Sequence, residues 1–135
     1  MKVSAHLTFN GQCEAAFRFY EQCLGGAIVT MITYGDSPLA EQVPLAWRKK
    51  IVHATLTIGE NVLAGADLLP DDYQSPQGFF VLIEIEEAAE AEHIFRQLSE
   101  GGSVRMPMQE TFWARRFGVV TDPFGTPWEI SCGRG

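Results

Sequence analysis

The stretch Val3-Ser4-Ala5-His6-Leu7-Thr8-Phe9, followed by a helical pattern from Cys13 to Leu24 and the pair Gly25-Gly26, decides the fold because it occurs twice. An offset of 76 carries Gly25-Gly26 onto Gly101-Gly102 and Phe19 onto Phe95. The same offset carries Val3, Ala5, Leu7 and Phe9 onto Phe79, Val81, Ile83 and Ile85. In the first copy these apolar residues alternate with Ser4, His6 and Thr8, which is the period of a strand with two unlike faces. The helices then show their own period. Cys13, Ala16, Phe17, Tyr20 and Leu24 make one stripe, and Ala88, Ala91, Phe95 and Leu98 make another within Glu86 to Glu100. A glycine pair stops each helix.

Three further strand-like segments follow in each copy. In the first they are Ala27 to Tyr34, Ile51 to Ile58 and Val62 to Leu68; in the second, Val104 to Glu110, Arg115 to Thr121 and Trp128 to Cys132. Gly35 to Lys50, with Pro38 and Pro44, breaks the pattern and reads as a surface loop or flap ending in the basic run Trp47-Arg48-Lys49-Lys50. Leu69 to Gly78 reads as a linker. The order strand, helix, three strands, taken twice, predicts an α+β fold. Two βαβββ modules, about 1–70 and about 78–135, form a curved mixed sheet around a cavity within a single domain, 1–135. One helix covers one face of each module's sheet, so chemistry is expected on the other, polar face.

The bulk properties narrow the function. At 135 residues the chain fits one domain with a real core. Its formal net charge of −7 argues against nucleic acid, which requires a basic footprint, and suits a neutral or cationic small ligand. No apolar run approaches the roughly 20 residues that span a bilayer. Of the three cysteines, Cys13 and Cys23 fall ten residues apart on one helix, about 15 Å by helical rise, too far to bridge. Cys132 lies among apolar strand residues, so all three read as reduced. The start of the chain enters a strand at once, and the expectation is a cytoplasmic protein.

Two stretches resemble a known family. One is Leu7-Thr8-Phe9-Asn10-Gly11-Gln12-Cys13-Glu14-Ala15-Ala16, running on through Phe19-Tyr20 to Leu24-Gly25. The other runs from Gln109 to Ile130 and contains Asp122-Pro123-Phe124-Gly125-Thr126-Pro127-Trp128-Glu129. Both are similar to PhnB-like proteins, a branch of the vicinal-oxygen-chelate (glyoxalase / bleomycin-resistance / dioxygenase) superfamily. The resemblance implies the paired-module fold, a homodimer, and a cavity that holds a small molecule. In the superfamily's enzymes it also implies a divalent metal (zinc, nickel, iron or manganese) held by His, Gln or Glu, which stabilises an enolate-like intermediate as a Lewis acid. No Gly-rich loop joins a strand to a helix to hold a nucleoside cofactor, so methyl transfer is not expected.

The candidate site follows from the resemblance and from strand parity together. Glu129 stands where family enzymes carry their C-terminal glutamate, and with Ser131 it lies opposite in parity to Trp128, Ile130 and Cys132. It is the first candidate as catalytic base and metal ligand, or else a hydrogen-bonded wall residue. His6 shares the polar parity of Ser4 and Thr8 and is the second catalytic and metal candidate. Counting from the turn glycines Gly59 and Gly125 puts Leu63 at the position equivalent to Glu129, with Asp67 of the same parity further on. On the fifth strand the residue answering to His6 reads as Phe80, with Glu84 of the same parity. His53, Thr55, Trp113, Arg115, Asp67 and Phe80 are the substrate-binding candidates. Trp113 and Arg115 would supply an aromatic wall and a cation for an anionic group, with Phe117 and Phe124 read as core. Two functions stay open. One is a small-molecule-binding protein of unassigned substrate; the other is a metal-dependent lyase or isomerase of the glyoxalase type with Glu129 as ligand or base.

Overall fold

In a computed structural model that describes residues 1–133, the N-terminal alternation becomes strand β1, Ala5–Phe9, and the stripe after it becomes helix α1, Cys13–Leu24. Three strands complete the first module: β2 (Ala27–Thr33), β3 (Ile51–Ile58) and β4 (Asn61–Asp67). They form a four-stranded mixed sheet in the order β1-β4-β3-β2, in which β1 and β4 run parallel. The second module repeats the plan with β5 (Val81–Ile85), α2 (Ala88–Ser99), β6 (Ser103–Gln109), β7 (Arg116–Thr121) and β8 (Pro127–Cys132). Its sheet has the order β5-β8-β7-β6, again with the module's first and last strands parallel, here β5 at the edge and β8 beside it. The fold is α+β and made of two βαβββ modules, each with its own four-stranded sheet. The chain divides into two compact units between Gln74 and Ser75.

Each helix covers the face that the alternation marks as apolar. α1 buries Cys13, Ala16, Phe17, Tyr20 and Cys23. Phe9 of β1, Phe17 and Tyr20 form an aromatic cluster with ring centroids 5.9–6.4 Å apart. α2 buries Ala91, Ile94, Phe95 and Leu98. Aromatic rings packed in this way contribute about 0.5–1.5 kcal/mol per pair beyond the area they bury.

The repeated glycine pairs have two separate causes. Gly25 and Gly101 take left-handed backbone, φ 72° and 74°, which any side chain would strain. Gly26 and Gly102 are instead places of close approach. A Cβ on Gly26 would lie 2.4 Å from the Thr57 carbonyl oxygen, and one on Gly102 would lie 2.3 Å from that of Thr121. The offset of 76 therefore preserves a turn and the contact that docks it on a strand.

Two buried aspartates fasten the modules internally. Asp122 is 3% exposed and holds the turn before β8: its Oδ1 accepts from Phe124 N–H at 2.8 Å and Thr126 N–H at 3.1 Å, while its Oδ2 accepts from Trp128 Nε1 at 2.8 Å. The Asp-Pro-Phe-Gly motif thus positions β8. Asp67 corrects an expectation. It lies not on the polar face but on the helix side, 1% exposed, paired in register with Phe9. Its Oδ1 accepts from Cys13 N–H at 2.9 Å, and its Oδ2 from Ile51 N–H at 2.8 Å. Gln12, the residue before α1, makes no side-chain cap, so Asp67 caps that helix from 54 residues away. Burial pushes the Cys13 thiol up, reinforced by the Asp67 and Glu14 carboxylates, so it stays a protonated, inert core group.

The segment read as a flap carries two short 3-10 turns, Ala40–Gln42 and Leu45–Trp47. Part of its basic run is pinned: Lys50 Nζ donates to the Gly11 carbonyl at 2.9 Å and Arg48 Nε to that of Ala40 at 3.1 Å. Among the described residues no helix is long and apolar enough to cross a membrane.

Candidate functional site

Strand β8 places the site. Trp128, Ile130 and Cys132 are buried on the α2 side, so Glu129 and Ser131 face away from the helix, as their parity predicts. Register then fixes their neighbours. Leu82, Glu129, Val119 and Met106 form one row across all four strands, and Glu84, Ser131, Phe117 and Gln109 form the next. A pocket of about 460 Å³ opens on this face, lined by Leu82, Glu84, Trp113, Phe117, Glu129, Ser131 and Gly133. That volume is within the range of small-molecule sites, about 300–1,000 Å³.

Its chemistry is aromatic and acidic. Trp113, 45% exposed, meets Phe117 edge-on, with centroids 5.1 Å apart at 71°. Phe112 stands beside it at 4.7 Å and is almost wholly exposed. Glu129 is half-buried and Glu84 exposed, diagonal to each other across the parallel pair β5–β8. Among the described residues the ion pairs are Arg18–Glu14, Arg48–Glu41 and Arg116–Glu92, so neither pocket carboxylate has a cationic partner there.

The other candidates are distributed elsewhere. His6 is exposed on β1, in a row with Ala64, Thr55 and Thr30 on the first module's sheet. His53 is exposed on β3 opposite Ile32. Phe80, before β5, is 37% exposed with the Arg105 guanidinium 5.5 Å from its ring centroid. Arg115 is not among the pocket's lining. Its Nη2 donates to the Glu86 carbonyl at 2.8 Å and reaches Cys132 Sγ at 3.5 Å, tying the end of β8 to the turn before α2.

Register also corrects the equivalence of the modules. His6 pairs with Ala64 and Leu82 pairs with Glu129. The counterpart of Glu129 is therefore Ala64, not Leu63, and that of His6 is Leu82, not Phe80. Leu63 is buried on the helix side. Counting from the turn glycines errs by one residue, and one residue exchanges the faces of a strand. The sequence reading leaves Leu82 out of the site and notes Glu84 only for sharing the parity of Phe80. Phe117, read as core, is buried with Ala114 and Val119 and also lines the pocket. The missing signal was pairing: parity with Glu129 through β5–β8 and β7–β8 selects all three.

The donors in the pocket do not fit the transition-metal site that the resemblance implies. It offers two carboxylates and a hydroxyl, with no imidazole or thiolate. Among the described residues, no group of three or more His, Cys, Asp or Glu side chains gathers to hold a metal.

Comparison with known proteins decides the family. The model of the Glyoxalase/Bleomycin resistance protein/Dioxygenase superfamily matches residues 4–130. The chain belongs to this superfamily. Within it the chain is similar to protein YjdN of Escherichia coli K12, 33% identical over 139 residues, covering 97% of this chain and 95% of YjdN. The crystal structure of protein PA1353 from Pseudomonas aeruginosa is 40% identical, with a TM-score of 0.91 over 100% of this chain and 99% of that one. A Bacillus cereus structure, named as a PhnB protein and putative 3-demethylubiquinone-9 3-methyltransferase, shares the fold. It is 21% identical with a TM-score of 0.82, over 98% of this chain and 99% of that one. The glyoxalase-superfamily chain is thus PhnB-like in fold, as the two stretches quoted from its sequence imply.

Proposed function

We propose that this glyoxalase-superfamily chain is a small-molecule-binding protein whose ligand lies on the helix-free face of the second module, between the Trp113–Phe117 wall and Glu129. The observation that carries this reading is the pocket of about 460 Å³ in which those three side chains meet. The first module's row that answers to Glu129's, His6-Ala64-Thr55-Thr30, has alanine in place of the carboxylate and threonines in place of Val119 and Met106. A second reading, lyase or isomerase chemistry with Glu129 as the base, is supported by the half-burial of that carboxylate beside an aromatic wall. The free, buried state of Cys13, Cys23 and Cys132 supports a reducing, cytoplasmic setting. The exposure of Phe112 (98%) and Val3 (90%) supports a homodimer that covers apolar surface.

A thermal-shift screen tests the pocket. Aromatic fragments of positive, zero and negative charge are compared on the wild type and on Ser131→Phe, which fills the pocket from its floor. Binding at a concentration far above Kd is expected to raise Tm of the wild type by about 4 °C and leave the variant unmoved. Equal shifts in both proteins would place binding elsewhere.

A further inference from the structure

Among the described residues, those lining the pocket include two acidic side chains and no basic one. The described arginines nearby are engaged elsewhere: Arg116 with Glu92 at 2.8 Å and the Met108 carbonyl at 3.0 Å, Arg115 with the Glu86 carbonyl, and Arg105 over Phe80. Neither Glu84 nor Glu129 takes part in an ion pair or side-chain hydrogen bond among the described residues. Glu129 already has half of its surface neighbourhood removed from water. A ligand entering beside it strips more water from the carboxylate. A neutral ligand leaves that cost uncompensated, an anion adds repulsion, and a cation offsets it. The aromatic wall selects in the same direction, since an exposed indole face attracts a cation lying over it.

We propose that this pocket selects a planar organic cation: Glu84 and Glu129 neutralise its charge and Trp113 stacks on its ring. The proposal rests on the small-molecule reading above and adds the chemical class of the ligand. Two positions then determine specificity by charge, Glu84 and Glu129, and one by shape, Trp113. The lining fits a two-ring aromatic such as a quaternised heterocycle better than a sugar or a polyol, whose hydroxyls would meet Leu82, Phe117 and Trp113.

Isothermal titration calorimetry with three probes of one size tests this: N-methylquinolinium, neutral quinoline at pH 7.5, and 2-naphthoate. The expected result is that the cation binds about tenfold or more tighter than quinoline, weakens as salt rises, and that 2-naphthoate binds weakest. Glu84→Gln and Glu129→Gln are each expected to weaken the cation about three- to tenfold and not to weaken quinoline, whose desolvation cost at the carboxylate they lower, with folding checked by circular dichroism. Trp113→Ala is expected to weaken both the cation and quinoline, and the cation more, because only the cation loses its attraction to the indole face. If quinoline or 2-naphthoate binds as tightly as the cation, or if both glutamine variants keep wild-type affinity for it, cation selection is overturned while the pocket still binds small molecules. If none of the three probes binds, both the selection and the small-molecule reading fall.

Discussion

Asp67→Ala is expected to lower the free energy of unfolding by about 3–5 kcal/mol, because two buried backbone N–H groups lose their acceptor at once. One is the Cys13 N–H at the start of α1, and the other is the Ile51 N–H that opens β3. Each buried donor left unpaired costs about 1–3 kcal/mol, and the helix also loses a negative charge at the positive end of its dipole. Asp67→Asn keeps the shape but turns an amide N–H₂ toward one of the two donors, so it recovers only part of the loss. Tyr34→Phe provides the contrast. Its hydroxyl donates to the main-chain oxygen of Asp67 at 2.6 Å, and that single bond is worth about 1 kcal/mol. Urea titration separates the three. An Asp67→Ala protein within 1 kcal/mol of wild type would mean that the carboxylate is not the clasp described here.

Asp122→Ala is the second large effect, expected at about 2–4 kcal/mol, since one carboxylate serves the Phe124 and Thr126 backbone N–H groups and the Trp128 indole. The consequence reaches the pocket. The turn sets where β8 begins, and β8 carries Glu129 and Ser131. Asp122→Ala is therefore expected to weaken ligand binding several-fold even where the protein remains folded, whereas Asp67→Ala, in the other module, lowers stability without that added loss. The comparison uses urea titration and calorimetry under conditions where both variants are folded. Equal losses of affinity in the two variants would contradict the assignment of the turn to the site.

The scaffold was legible in the sequence because its signals are local. Alternation in Val3 to Phe9, the stripe from Cys13 to Leu24 and the left-handed Gly25 and Gly101 each report a local backbone conformation. The face of Glu129 was legible for the same reason: its apolar neighbours Trp128 and Ile130 bury the other side. What was not legible depends on partners distant in sequence. Asp67 reads as a polar strand-end residue until Cys13 and Ile51 are seen to need it. Arg115 reads as a ligand-binding cation until the Glu86 carbonyl takes its guanidinium. Leu82 and Glu84 answer to His6 and Thr8 under the offset of 76, but only pairing with β8 sets them beside Glu129 and Ser131. Asp122 of the Asp-Pro-Phe-Gly motif, which carries the family resemblance, is architectural, and the pocket is lined by residues of the strand that follows it.

The two modules share a backbone plan and differ in the face each leaves open. The row His6-Ala64-Thr55-Thr30 answers to Leu82-Glu129-Val119-Met106, with a carboxylate and apolar bulk where the first module has a methyl group, two threonines and an imidazole. Binding is expected on the second of these faces, which amide chemical-shift mapping with N-methylquinolinium can locate. The largest shifts are expected on Leu82, Glu84, Trp113, Phe117, Glu129 and Ser131; shifts centred on His6, His53 and Thr55 would contradict a ligand in the second module's pocket.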